Sequence, residues 1–136
     1  MVELSIREDC GNAPKQQFIK DFNIAFANAD KEQLLSSITD DAEWQLVGDT
    51  TYVGKAAIRD ALASMTIGAA KKLTLNTVLS HGTGCAANGV ITFEDAEVAF
   101  CEVYEFSSHG KDARIKKLTS YRIPLKQGNN AFRKGL

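Results

Sequence analysis

Residues 98–106 set one acidic side chain among bulky apolar ones. If the segment is a strand, Val98, Phe100, Glu102, Tyr104 and Phe106 share one face, and Ala99, Cys101, Val103 and Glu105 share the other. The first set is larger and more aromatic, so it is expected to face the interior. A carboxylate among aromatics costs free energy unless it is hydrogen-bonded or protonated. Glu102 is therefore the candidate general acid or base, or a polar anchor for a ligand. The plainer alternative is a scaffold carboxylate bonded to Ser120 or Arg122 on the next strand.

Leu118, Ser120 and Arg122 share one parity of that next strand. Arg122 could hold an anionic ligand or pair with Glu102; more simply, it reaches water along its apolar stem near the mouth of a pocket. Trp44 is either a pocket wall or core. Tyr52 and Tyr104 could donate to a ligand oxygen, although half-buried tyrosines with a wet hydroxyl are commoner. Tyr121 has the opposite parity and is expected to face outward. His81 and Cys85 stand four apart across a glycine-rich turn, without a third ligand or a zinc spacing. Residues 81–84 lack the strand-to-helix context of a phosphate loop. No metal or cofactor is expected.

The bulk numbers narrow the field. The chain has 136 residues, 44% apolar and 24% charged, with a net charge of −1, the profile of one globular domain over residues 1–136. No run of Lys or Arg exceeds two residues, so a nucleic-acid surface is not expected. No apolar stretch approaches the ~20 residues that span a bilayer. The first residues lack the pattern of a signal peptide, and the three cysteines, Cys10, Cys85 and Cys101, read as reduced thiols. The expected compartment is the cytoplasm, with no membrane partner.

These candidates need elements to position them. Residues 1–11 read as an extended arm. Asn12 is the expected cap of a first helix, with Pro14 in its opening turn and Phe18, Phe22, Ala25, Phe26 and Ala29 at helical spacing. Asp30 opens a second helix, with Gln33 answering it and Leu34, Leu35 and Ile38 as its buried side. Short strands are expected over 43–47 and 50–53, then a third helix whose inner face is Ala57, Ile58, Ala61, Leu62 and Met65. The second half reads as four strands in antiparallel succession. In the first of these, Leu73, Leu75, Thr77 and Leu79 alternate against Thr74, Asn76 and Val78. Residues 126–136 read as a frayed tail. Helices early and long strands late argue an α+β fold, with the helices on one face of a curved sheet.

Three stretches carry a family resemblance: 38–44 with its Asp40-Asp41-Ala42, Gly54-Lys55 opening the third helix, and Val103-Tyr104-Glu105-Phe106 with 115–121 closing. Over roughly residues 12–124 the chain resembles the nuclear transport factor 2-like superfamily, and within it the SnoaL-like and ketosteroid-isomerase-like proteins. The resemblance implies a cone-shaped, cystatin-like fold: a curved antiparallel sheet enclosing an apolar pocket, with three helices packed on its concave face. It also implies a small hydrophobic ligand, and isomerase-, cyclase- or lyase-type acid–base chemistry or plain binding.

Ketosteroid isomerase chemistry needs a carboxylate base, a tyrosine and a carboxylic acid kept protonated. The resemblance places Phe22 at the tyrosine's position, Leu46 at the base's, and Glu102 at the protonated acid's. Two of the three roles are empty, so that reaction is not expected. The residues expected to line a ligand are Phe22, Trp44, Leu46, Phe100, Tyr104, Leu118, Ser120 and Arg122, around Glu102. The alternative is a non-catalytic assembly module with a vestigial pocket. Its supporting feature is the outward set Ala99, Cys101, Val103, Tyr121 and Ile123, which implies a homodimer.

Overall fold

The structure is a computed structural model and describes residues 2–7, 13–65 and 68–127. Its elements in chain order are β1 (Glu3–Ile6), α1 (Pro14–Ala27), α2 (Lys31–Ser36), β2 (Ile38–Leu46), β3 (Thr51–Val53), α3 (Lys55–Ser64), β4 (Lys72–His81), β5 (Gly84–Thr92), β6 (Ala96–Phe106) and β7 (Ile115–Gln127).

Pro14 stands at the start of α1, where its missing N–H would have had no partner. The expected cap, Asn12, lies outside the described residues; Ala13 occupies the capping position and makes no side-chain bond. Ile19, Phe22, Asn23, Ala25 and Ala27 form the buried side of α1, which packs on β4 and β5. Asn23 is thus a polar residue on the helix's inner face. Asp30 caps α2 as expected, accepting the Gln33 N–H at 3.2 Å.

Ile38 belongs to β2 and not to α2. The helix stops at Ser36, the Ser37 hydroxyl donates to the Gln33 carbonyl at 2.8 Å, and the Ser37 carbonyl accepts the Ile115 N–H at 3.0 Å. Pairing with β7 therefore starts where the helical bonds end, and β2 begins five residues before the expected strand. Gly54, at φ 93, turns the chain from β3 into α3. Ile58, Ala61 and Leu62 then pack α3 against β2 and β3.

The seven strands form one curved sheet in the order β1-β4-β5-β6-β7-β2-β3. The four long strands pair antiparallel, as expected, while β1 joins β4 and β2 joins β7 in parallel, so the whole sheet is mixed. Within the expected arm, Glu3–Ile6 is therefore an edge strand, and Cys10 lies outside the described residues. Residues 126 and 127, expected in the tail, complete β7; the rest of that tail lies outside the described residues.

The simple alternation expected for β4 does not hold along its length. Leu73 and Leu75 are buried, but Val78 takes the next inward place and Leu79 is 61% exposed. The register shifts between Leu75 and Thr77. One extra residue moves every later side chain to the opposite face. Beside this bulge Gly89 pairs with Leu75, and a Cβ added there would run into the Thr74 carbonyl.

β6 keeps the expected parity throughout. Val98, Tyr104 and Phe106 are buried, Cys101 and Val103 are exposed, and Phe106 meets Phe18 of α1 edge to face at 5.2 Å between ring centres. Among the described residues, no helix is long and apolar enough to cross a membrane.

Candidate functional site

Glu102 lies between two hydroxyls, one on its own strand and one on the neighbouring strand. Tyr104, two residues on and on the same face of β6, donates to Glu102 Oε1 at 2.8 Å. Ser120 pairs with Glu102 across the β6–β7 ladder and donates to Oε2 at 2.8 Å. Behind each hydroxyl stands another donor. The Trp44 indole N–H reaches Ser120 Oγ at 3.0 Å, and Asn23 Nδ2 reaches Tyr104 Oη at 2.9 Å.

The direction of this network follows from what each group can do. An indole N–H only donates, so Ser120 spends an acceptor site on Trp44 and its own proton is free for Glu102. Asn23 Nδ2 also bonds the Ile19 carbonyl at 2.9 Å, and a carbonyl only accepts, so that atom is the amide nitrogen. Tyr104 accepts from it and sends its own proton to Glu102. Both branches end on the carboxylate, which accepts at both oxygens. Each oxygen accepts one protein bond and keeps a lone-pair direction for a further donor.

Burial fixes the supporting groups. Tyr104 is 0% exposed, Ser120 1%, Trp44 4% and Asn23 5%. Tyr104 was expected to keep a wet hydroxyl. It does not, because α1 closes over it and supplies Asn23. Burial, followed by the neighbouring Glu102 charge, pushes the Tyr104 hydroxyl well above the usual tyrosine range, so it serves as a donor. Phe22 meets the Tyr104 ring edge to face at 6.1 Å.

Two small apolar cavities share Glu102 and Phe26 as walls. Phe22, Trp44, Ile58, Leu62, Ile115 and Leu118 also line the first. The second is lined by Asn23, Met65, Leu73, Phe93, Phe100 and Arg122, among others. The space open to water centres is about 30 Å³ in the first and about 70 Å³ in the second. At roughly 10–15 Å³ per water, each holds a few waters or a small ligand fragment. A steroid needs more room than either provides.

Of the residues expected around Glu102, Phe22, Trp44 and Leu118 face the first cavity, and Phe100 and Arg122 the second. Tyr104 and Ser120 stand behind Glu102 as its donors. Leu46 is buried at 8% exposure and lines neither cavity. Asn23 went unnoticed in the sequence; its signal is an amide set between Ile19, Phe22 and Phe26 on a helix face that is otherwise apolar.

Arg122 is half-buried, and its guanidinium is held between aromatic rings. Its Cζ lies 5.9 Å from the Phe26 ring centre and 5.8 Å from that of Trp44. Burial pushes its guanidinium pKa down, and the charges of Glu102 and Asp49 and the Tyr52 hydroxyl oppose that shift. Among the described residues Arg122 makes no ion pair within 4.0 Å, so the Glu102–Arg122 pair weighed from sequence does not form.

On the opposite face of the sheet, Leu79, Val103, Tyr121, Ile123 and Leu125 are exposed, with Cys101 among them. The ladder aligns Cys101 with Tyr121 and Ala99 with Ile123, so these residues form one apolar patch across β6 and β7.

No protein-family model matches the chain, and no curated protein matches it. Solved structures do. An NTF2-like protein of unknown function from Cytophaga hutchinsonii superposes with a TM-score of 0.62 at 23% identity, covering 79% of this chain and 97% of that one. A ketosteroid isomerase-like protein from Erwinia carotovora atroseptica matches with a TM-score of 0.62 at 18% identity, covering 79% of this chain and 92% of that one. An LEH-like epoxide hydrolase from M. tuberculosis matches with a TM-score of 0.62 at 17% identity, covering 79% of this chain and 80% of that one. At these identities the likeness establishes the architecture, which is the nuclear transport factor 2-like fold.

Proposed function

We propose that the protein holds a small, mostly apolar molecule against Glu102, and that Glu102 accepts a proton from it in isomerase-, cyclase- or lyase-type chemistry. One observation carries this reading. Two hydroxyls, each backed by a second donor, hold an acceptor-only carboxylate at the wall between two apolar cavities. A carboxylate with its orientation held and lone-pair directions unused is what a general base requires. The likeness of the fold to a ketosteroid isomerase-like protein and an LEH-like epoxide hydrolase supports this reading.

Native mass spectrometry of the purified full chain tests the reading. A small-molecule mass retained by wild type and lost or diminished in Glu102→Gln supports it. Equal retention by both proteins removes Glu102 from the site, and the absence of any bound mass at high concentrations of added apolar compounds argues against a ligand pocket.

The outer apolar patch favours a second role beside the first, a homodimer formed through β6 and β7. Cys101, Val103, Tyr121 and Ile123 leave an apolar sheet face in water, where a soluble monomer would carry polar residues. If the pocket is vestigial, this face alone would make the protein a non-catalytic assembly module.

A further inference from the structure

Arg122 is a half-buried cation held by aromatic rings, with no protein acceptor for its N–H donors among the described residues. Phe26 and Trp44 attract the charge through their π faces. They do not satisfy the N–H groups, which lie in the guanidinium plane and form a fork suited to two oxygens. Glu102 is the nearest anion by register, since Arg122 pairs with Phe100 and Glu102 with Ser120, making the two diagonal neighbours. Diagonal neighbours in such a ladder stand about 7–8 Å apart. Glu102 already accepts hydroxyls from Tyr104 and Ser120 and makes no direct ion pair with Arg122. Glu102 therefore acts on Arg122 through space, as Asp49 does, while the direct contacts differ: hydroxyls on the carboxylate, rings on the guanidinium.

The cavity at Arg122 is mostly apolar, with Met65, Leu73, Ile91, Phe93, Val98 and Phe100 around the one cation, and Asn23 and the hydroxyl-bound Glu102 complete its wall. A guanidinium in apolar surroundings with an unused fork matches a planar carboxylate on a short hydrocarbon body. Burial lowers the Arg122 pKa against the opposing charges of Glu102 and Asp49, in keeping with the absence of a direct ion pair.

We infer that Arg122 selects the ligand by its carboxylate, so that the molecule taken up is a small monocarboxylic acid with an aliphatic or aromatic body. This rests on the reading of the Glu102 cavities as a ligand site. The carboxylate engages Arg122, and the apolar body fills the space between Phe100, Phe93 and Met65.

Isothermal titration calorimetry of the full chain with matched pairs tests it: hexanoate against hexanol, and benzoate against benzyl alcohol. The acid of each pair is expected to bind about tenfold to a hundredfold more tightly, the range of a charge-assisted hydrogen-bonded contact. Arg122→Met should abolish that preference, while Arg122→Lys should keep part of it. Equal binding of acid and alcohol to wild type overturns the assignment and leaves the pocket standing. Binding of neither overturns the pocket and the assignment together. Thermal melts establish that each variant is folded; if Arg122→Met is not, the wild-type ratio and Arg122→Lys decide.

Discussion

Tyr104 Oη lies 2.8 Å from Glu102 Oε1, and the two side chains come from the same face of one strand, two residues apart. A β-strand projects such neighbours side by side. Here the reach of the tyrosine turns that adjacency into a hydrogen bond, and α1 covers it with Asn23.

Removing that hydroxyl should cost stability. Tyr104→Phe takes one donor from Glu102 and leaves Asn23 Nδ2 with the Ile19 carbonyl alone. The expected loss is about 1–2 kcal/mol. Urea unfolding at neutral pH measures it, and an unchanged midpoint would show that the bond contributes nothing net.

The same residue predicts a pH dependence. The folded-state pKa of Tyr104 is raised, mainly by burial. Below the unfolded pKa of about 10, tyrosine is protonated in both states and its contribution is fully present. As pH rises further the unfolded chain loses the proton while the folded chain keeps it, so stability falls until the folded group ionises. Thermal melts at about pH 8 and pH 11 should show a smaller alkaline loss in Tyr104→Phe than in wild type. Parallel losses would remove Tyr104 from the effect.

The sheet has one glycine that sterics require. At Gly89 any Cβ meets the Thr74 carbonyl, which is backbone and cannot rotate away, beside the register shift of β4. Gly89→Ala should destabilise the protein by about 1–3 kcal/mol or more. A melting temperature equal to wild type would mean that β4 and β5 can separate at the bulge without cost.

The outer face makes a prediction about assembly. Val103 and Tyr121 are 41% and 47% exposed in the single chain. Val103→Lys combined with Tyr121→Lys should yield a soluble monomer in sedimentation velocity, and wild type is expected to sediment as a dimer. A double variant that still sediments as a dimer would place the interface elsewhere.

A Δ5-3-ketosteroid should not be isomerised. The family resemblance assigns Phe22 and Leu46 to the positions where that chemistry needs a phenol and a base, and Leu46 lines neither cavity. Ultraviolet absorbance of the conjugated product is the assay. Turnover at the rate of a true isomerase would mean that Glu102 serves as the base with a different electrophile.

Much of the architecture was legible because it rests on local chemistry. Period 2 along β6 put Glu102 on the inner face, Asp30 and Gln33 marked the start of α2, and the Gly54 turn set off α3. Pairing across the fold decided other boundaries. Ile38 passes from helical to strand spacing because Ile115, 77 positions later, offers it a partner. The bulge at Asn76 has no mark in the alternation, since apolar residues occupy both parities there.

The site divides the same way. The sequence by itself determined that a lone carboxylate would stand among aromatics on one face of β6, with Ser120 and Arg122 on the matching parity of β7, because strand periodicity is a property of the backbone. Only the tertiary structure decided that Ser120, and not Arg122, bonds Glu102. Direct cross-strand register brings the hydroxyl within 2.8 Å, while the longer side chain lies diagonally and meets Phe26 and Trp44 from two other elements. Asn23 likewise became part of the site only when α1 packed across the sheet, because no local pattern records which buried amide will meet which hydroxyl 81 residues away.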